Sequence, residues 1–406
     1  MKLPTVKLRD VTLPEPRFRS RLHDERTAAL LGIALGVTFI TCFVTGLLSH
    51  VAQDPDPWFP WPARPAGLYR VTQGVHVATG LASIPLLLAK LWTVYPQLFQ
   101  RPVVHGVAHA VERAMIVPLV AGSLFILFTG FANVNLWYPW SFNFRTSHYW
   151  VAWITMGALV VHLGAKWATT RAALSRRVGP EAEHAATADT EPALQPAGAP
   201  GDEGPGDEGP SRRTFLTLVA GSAAGVTLLT VGQTVWPLRK LALLAPRRPD
   251  QGPQGFPVNR TAQAAGVERR ATDPGYRLTV DGAVTTPLTF SLAELHALPQ
   301  HEATLPIACV EGWSASRTWR GVQVRHLLDL AGARADAEVR VESLQQRRSY
   351  RTSLLTGAQV AEPDTLLALM VEGAELHLDH GYPARLIGPN RPGVEQTKWV
   401  TRLVVT

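Results

Sequence analysis

The hydrophobic positions of this chain fall into two regimes. Four long apolar stretches, at about residues 27–51, 71–95, 108–132 and 147–167, fill its first part, and a fifth runs over 215–236. Each has the roughly 20 residues that a helix rising about 1.5 Å per residue needs to cross hydrocarbon. Aromatic residues gather near their ends: Trp58, Phe59 and Trp61 after the first, and Trp137, Tyr138, Trp140, Phe142 and Phe144 before the fourth. Trp and Tyr favour the membrane–water interface, so these clusters mark the borders of the bilayer. From about residue 254 the pattern becomes mixed. Residues 276–280, 303–310, 338–344, 366–371, 385–388 and 400–405 predict strands. Ser291 and Glu294 read as a capping box opening a short helix, and 324–330 predicts another. The expected fold is a membrane all-α four-helix bundle plus one further transmembrane helix, followed by an α+β domain large enough for its own core.

Charge orients this plan. The 406 residues carry a formal net charge of +7. The basic residues do not form one patch interleaved with aromatics, so no nucleic-acid partner is expected. Many flank the apolar runs instead. Lys2, Lys7, Arg9, Arg17, Arg19, Arg21 and Arg26 surround the start of the first, and Arg171, Arg176, Arg177, Arg212 and Arg213 lie between the fourth and fifth. The positive-inside rule then puts the N-terminus in the cytoplasm, and five crossings put the C-terminal domain outside. The first apolar run is too long for a cleavable signal and lacks a small-residue cleavage site. The domain plan is a cytoplasmic segment (1–26), a four-helix domain (27–170), an acidic linker (171–213), a fifth helix (214–237), an external linker (238–253) and the α+β domain (254–406). Residues 178–210, rich in Ala, Pro, Gly, Glu and Asp, lack apolar periodicity and read as disordered.

Histidines carry the candidate chemistry of the membrane half, because ionisable groups are costly in a bilayer. His148 and His162 lie on one predicted helix, fourteen residues apart. At 100° and 1.5 Å per residue they share a face, offset by roughly 40° and separated by roughly 21 Å. That spacing suits two haems stacked across a membrane, for which imidazole is a good axial ligand. His76 matches His148 in depth; His23 or His109 matches His162. Lys90 reads as a lysine snorkelling toward the cytoplasmic face. This arrangement resembles the four-helix cytochrome b subunit of membrane formate dehydrogenases and hydrogenases. The resemblance implies one or two b haems, with His76 and His148 on the outer one and His162 with His23 or His109 on the inner one. The stretch Arg17-Phe18-Arg19-Ser20-Arg21-Leu22-His23 looks like that family's entry motif, with Asp24 where an aromatic residue usually follows. The segment Ser211-Arg212-Arg213-Thr214-Phe215-Leu216 looks like a twin-arginine export signal, which would carry a folded, cofactor-loaded domain outward.

Cys42 lies in an apolar run and Cys309 far away in the α+β domain, so no disulfide framework is expected. A lone cysteine is more often an inert core residue than a ligand. Around Cys309, however, Cys309-Val310-Glu311-Gly312-Trp313-Ser314 and Trp319-Arg320-Gly321-Val322 resemble the core of the sulfite oxidase family of molybdopterin enzymes. So do Asp379-His380-Gly381-Tyr382-Pro383-Ala384-Arg385-Leu386, Lys398-Trp399 and Phe256-Pro257-Val258-Asn259-Arg260. The resemblance implies a molybdenum–molybdopterin cofactor with Cys309 as its protein ligand. Soft sulfur suits a metal that shuttles between two-electron states. It also implies Asn259, Arg260, His380, Arg385 and Lys398 as cofactor contacts, the cationic ones suited to phosphate. Arg317 and Tyr350 are further catalytic candidates. True sulfite oxidases carry an arginine five residues after the cysteine, where Ser314 stands here. The chain ends eight residues after Lys398, so the family's immunoglobulin-like dimerisation domain is not expected, as in its monomeric bacterial members. The expected activity is oxygen-atom transfer on a small sulfite-like, S-oxide or N-oxide substrate, at the outer face of a bacterial cytoplasmic membrane. Quinone is the expected electron partner. The alternative is a haem-free anchor, with a separate soluble carrier serving the molybdenum domain.

Overall fold

The structure is a computed structural model, and it describes residues 21–54, 59, 61–96, 106–175, 210–248, 250–346 and 351–406. The N-terminal basic residues up to Arg19, Trp58, His105, Tyr350 and most of the acidic linker lie outside these residues.

Among the described residues, five helices are long and apolar enough to cross a membrane. They are α1 (Glu25–Ala52), α2 (Leu68–Val94), α3 (Val107–Val134), α4 (Phe144–Ser175) and α5 (Arg212–Val231). Asp24 caps α1, with one carboxylate oxygen accepting from the backbone N–H groups of Arg26 and Thr27, both at 2.8 Å. Ser211 does the same for α5, accepting from Thr214 N–H at 3.2 Å, and leaves Arg212 and Arg213 exposed on the first turn.

The C-terminal domain contains ten strands and five short helices: α6 (Ala262–Ala265), α7 (Glu268–Ala271), α8 (Leu292–Ala297), α9 (Val324–Leu330) and α10 (Gly357–Ala361). The strands are β1 (Arg277–Gly282), β2 (Leu288–Ser291), β3 (His301–Ala308), β4 (Ser314–Gln323), β5 (Val339–Ser343), β6 (Thr352–Leu355), β7 (Leu366–Val371), β8 (Ala374–Glu375), β9 (Arg385–Ile387) and β10 (Val400–Val405). One sheet has the order β2-β1-β10-β5-β6; the other runs β3-β4-β7-β8, with β9 also on β7. Only β1 and β10 pair in parallel within the first sheet. A core of Leu278, Val280, Leu327, Leu328, Val341, Leu369 and Leu403 joins the first sheet to α9 and β7. A second core, under β3, β4 and β7, collects Phe256, Leu305, Trp313, Trp319, Leu366 and Ile387. Both predicted helices form, and the Ser291–Glu294 capping box is complete. Strands β2, β4, β6 and β8 were not predicted. In β4 (SASRTWRGVQ) the polar residues hide the alternation, yet it pairs with β3 over its whole length.

The described residues divide into two compact units. One draws on 1–36, 85–123 and 153–222. Within it, Lys90 Nζ donates to the Ala28 carbonyl at 2.7 Å, so its ammonium is taken by α1 backbone and does not run free to water. Lys166 pairs with Glu112 at 2.6 Å.

The other unit draws on 37–84, 124–152 and 223–406. In it the α1–α2 loop grips the C-terminal domain through Asn390. Its backbone N–H donates to Ala66 O at 3.1 Å and its side chain to Pro62 O at 2.6 Å. Its side-chain oxygen accepts from Tyr69 N–H at 2.7 Å, and its carbonyl from Trp61 Nε1 at 2.9 Å. Asn390 sits at φ 54°, a left-handed conformation that asparagine tolerates better than most residues. Arg64 adds an exposed fork onto Glu362 and Asp364 at 2.7 and 2.6 Å.

Replacing Asn390 by alanine deletes two buried side-chain hydrogen bonds and strains the left-handed backbone. A loss of about 2–4 kcal/mol is expected, read as a lower unfolding temperature of the detergent-solubilised protein; an unchanged melt would contradict the anchoring role.

Candidate functional site

The site is built on the hairpin of β3 and β4. Their ladder ends at the pair Ala308–Ser314, and Cys309 to Trp313 form the connecting turn. Cys309 N–H donates to Trp313 O at 2.9 Å, and Gly312 N–H to Cys309 O at 3.0 Å. Gly312 takes φ +86°, which a side chain would strain, and a Cβ there would meet Val77 and Gln233. From the other side the backbone at Gly393 closes in, where an added Cβ would lie 2.9 Å from Ala308 O. The thiol is therefore held in a tight turn and is 2% exposed.

Burial pushes the Cys309 thiol upward, reinforced by Glu311, while the cations of Lys398 and Arg247 pull it back. Glu311 is itself buried. It accepts from Trp313 Nε1 at 3.0 Å, and burial raises its carboxyl above the ordinary range.

Arg385 is fully buried and its guanidinium is lowered to about 9 by desolvation, with the Cys309 charge acting in the opposite sense. It donates to His380 O at 3.0 Å and lies 5.4 Å from the Trp319 ring, and its Nε has no partner among the described residues. Lys398 donates to two backbone carbonyls, Arg260 O and Asp379 O, each at 2.8 Å. Burial holds its ammonium well below the usual lysine range. Neither cation forms an ion pair among the described residues. Buried charges without counter-charges are expensive. Two of them acting on one buried thiol fit an anionic group carrying sulfur donors and a phosphate.

The remaining candidates sort around this centre. His380 stacks on Phe256 at 3.7 Å between ring centroids and donates from Nε2 to Pro253 O at 2.7 Å. Burial and the Arg385 charge lower it to about 3, so it stays neutral. Arg260 reaches Gln345 and the Ala264 carbonyl, and its own carbonyl receives Lys398. Asn259 is half-buried beside it. Arg317 is not brought to the thiol: it donates to the Gly255 and Ser316 carbonyls and lies over Phe256, clamping the 253–257 segment. Tyr350 is outside the described residues. Ser314 is buried, its N–H donating to Gln233 O at 2.9 Å and its hydroxyl to Thr234 O at 3.2 Å. Glu311 was missed as a site residue; its signal was a carboxylate two positions from the cysteine, in a segment too apolar to solvate it.

In the same unit, His76 and His148 bring their rings to 6.2 Å between centroids. His76 Nδ1 is 2.8 Å from Cys42 O, and His148 Nδ1 is 2.9 Å from Thr129 Oγ1. In the first unit, His23 Nδ1 is 3.0 Å from Thr93 O, and His162 Nδ1 is buried without a partner among the described residues.

Residues 264–406 match the oxidoreductase molybdopterin-binding domain family. This C-terminal domain is a molybdopterin oxidoreductase domain. Among curated proteins, a candidate protein-methionine-sulfoxide reductase subunit, YedZ1 of Azospira oryzae, is 36% identical over 37% of this chain and 56% of its own length. The uncharacterised oxidoreductase YuiH of Bacillus subtilis is 29% identical over 37% of this chain and 74% of its own. Mouse mitochondrial sulfite oxidase is 31% identical over 32% of this chain and 29% of its own. The chain thus spans about half the length of the first of these relatives and under a third of the last. A crystal structure of sulfane dehydrogenase SoxCD from Paracoccus pantotrophus is similar at 27% identity over 32% of this chain and 38% of that one, with a TM-score of 0.30.

The neutral His380 of the molybdopterin domain gives a signed pH dependence. Unfolded, it takes a proton near pH 6.5; folded, it resists until about 3. Its contribution to stability is present above pH 6.5 and is lost as pH falls toward 3, at up to about 1.4 kcal/mol per pH unit. A His380→Phe variant, which keeps a ring against Phe256, is expected to melt with a shallower acid dependence than the parent between pH 7 and 4. Parallel curves would remove this account.

Proposed function

We propose that the protein is a membrane-bound molybdenum oxidoreductase that moves an oxygen atom at a sulfur or nitrogen centre outside the cytoplasmic membrane. The observation that carries this is Cys309, a buried thiol that feels the charges of the buried Arg385 and Lys398, neither of which is in an ion pair among the described residues. Bound there, the pterin-held molybdenum supplies two-electron oxygen-atom transfer. Cys309 would ligate it, Arg385 and Lys398 would hold the anionic pterin, and Asn259, Arg260 and His380 would line its other side. Glu311, whose carboxyl burial raises above the ordinary range, would hold a proton beside the thiol. The sulfoxide-reductase and sulfite-oxidase names of the relatives favour a sulfur centre. Ser314, spent on backbone contacts, supplies no cation for sulfite.

The helices are proposed to cross the bilayer with the N-terminus inside. On this reading the twin-arginine segment Ser211–Leu216 exports the loaded domain. His76 and His148, with ring centroids 6.2 Å apart, would be the ligands of a b haem. Both rings engage Nδ1 with the protein, which leaves Nε2 to ligate, as metal-binding histidines usually do. Bound there, a b haem supplies single-electron steps. His23, anchored through Nδ1 like His76, is the favoured partner of His162 for an inner haem. Quinone exchanges electrons with the relay. The competing reading keeps the helices as a haem-free anchor and gives the molybdenum domain a soluble carrier.

The test is a reduced-minus-oxidised spectrum of membranes. A b-type α band is expected, and it should vanish in a His148→Ala, His162→Ala double variant; its absence from the parent would favour the anchor and soluble carrier. Cys309→Ser is expected to lower sulfoxide reduction with viologen, and sulfite oxidation with a quinone analogue, by about a hundredfold or more. A Cys309→Ser protein that keeps molybdenum and turnover would sink the assignment.

A further inference from the structure

We infer that Gln73 and Asn133 are positioning residues for electron exchange between the Cys309 turn and the His76–His148 pair. The inference rests on the function proposed above.

Val310 follows Cys309 directly. Its carbonyl accepts from Gln73 Nε2 at 3.3 Å and from Asn133 Nδ2 at 3.2 Å, which occupies both oxygen lone pairs. Gln73 stands three residues before His76 on α2, about one helical turn away. Asn133 stands four residues after Thr129 on α3, and Thr129 Oγ1 meets His148 Nδ1 at 2.9 Å. Each carboxamide therefore leads within one turn to one histidine of the pair. The Tyr138 hydroxyl donates to Asn133 Oδ1 at 3.0 Å, which turns the NH2 end toward Val310.

Adhesion alone does not call for this arrangement. Asn390 and Arg64 already hold the domain at another place. The Gly312–Ser314 end of the turn is separately held by Gln233 and Thr234, whose hydroxyl donates to Gly312 O. What Gln73 and Asn133 add is a short bonded connection from the residue next to the thiol to the elements that carry the imidazoles. The electron count agrees. Reducing a sulfoxide to its thioether and one water consumes two electrons and two protons, and a quinol oxidised to quinone releases the same number. The two electrons pass this junction one after the other.

The test uses the full-length, metal-loaded protein. Dithionite-reduced protein is mixed with methionine sulfoxide, and oxidised protein with sulfite, while the b-type band is followed by stopped flow. The Gln73→Met, Asn133→Leu double variant, which keeps side-chain volume, is expected to retain molybdenum and haem. Its haem should respond about ten- to a hundredfold more slowly than the parent's. Thr234→Val, which loosens the same turn without touching Val310, is expected to keep the parent rate. A parent-like rate in the double variant, or equal slowing in Thr234→Val, overturns the inference. If the double variant does not assemble, Asn133→Leu alone carries the same expectation in the same direction. A parent protein with no b-type band overturns the proposed function, and the inference with it.

Discussion

Burying Lys398 and Arg385 without an ion pair among the described residues is costly, and the carboxylates of Asp379 and Glu311 offset the Lys398 charge only through space. Lys398 places two of its three donors on the carbonyls of Arg260 and Asp379. Arg385 spreads its charge over the Trp319 face and the His380 carbonyl. His380 in turn stays neutral because burial and the Arg385 charge outweigh the opposite pull of its Nε2–H bond to Pro253, while its stack on Phe256 holds the ring in place. The segment 253–257 that supplies both partners is clamped by Arg317. Arg317, a catalytic candidate from sequence, thus touches this support through Gly255 and Phe256.

Legibility from sequence followed how local the determining physics was. Strands β7 and β10 were readable to the residue because their apolar runs are buried by both neighbours and cores. The capping box at Ser291 was readable because its reciprocal hydrogen bonds are made within four residues. Strand β4 was not, since its identity as a strand comes from pairing with β3 on one side and β7 on the other. Those partners accept Ser, Arg and Thr at positions where an isolated segment would show no period. Strand β6 was hidden likewise, being four residues long and fixed by its ladder with β5.

The site divides the same way. Residue types and order pointed to Cys309, His380, Arg385 and Lys398, and the fold brings Arg385 and Lys398 electrostatically onto the thiol. Glu311 escaped notice because a carboxylate looks solvent-bound until burial by Trp313 and the turn is known. The pairing of His76 with His148 could be argued from depth along two helices. The Nδ1 contacts that orient the rings could not, because Cys42 O and Thr129 Oγ1 belong to other helices.

The turn itself carries two sets of demands in five residues. Toward the domain interior it must hold a thiol under Arg385 and Lys398. Toward the helices it must present backbone, not side chains, and its composition follows. Position 312 is glycine because Val77 and Gln233 leave no room for a Cβ. Position 314 is serine because its N–H and hydroxyl are both claimed by the Gln233 and Thr234 carbonyls. A long cation at 314 would be forced out of that contact and would push the turn off α2 and the end of α5. Where the helices dock directly on the cysteine loop, a long cationic side chain therefore cannot stand at this position.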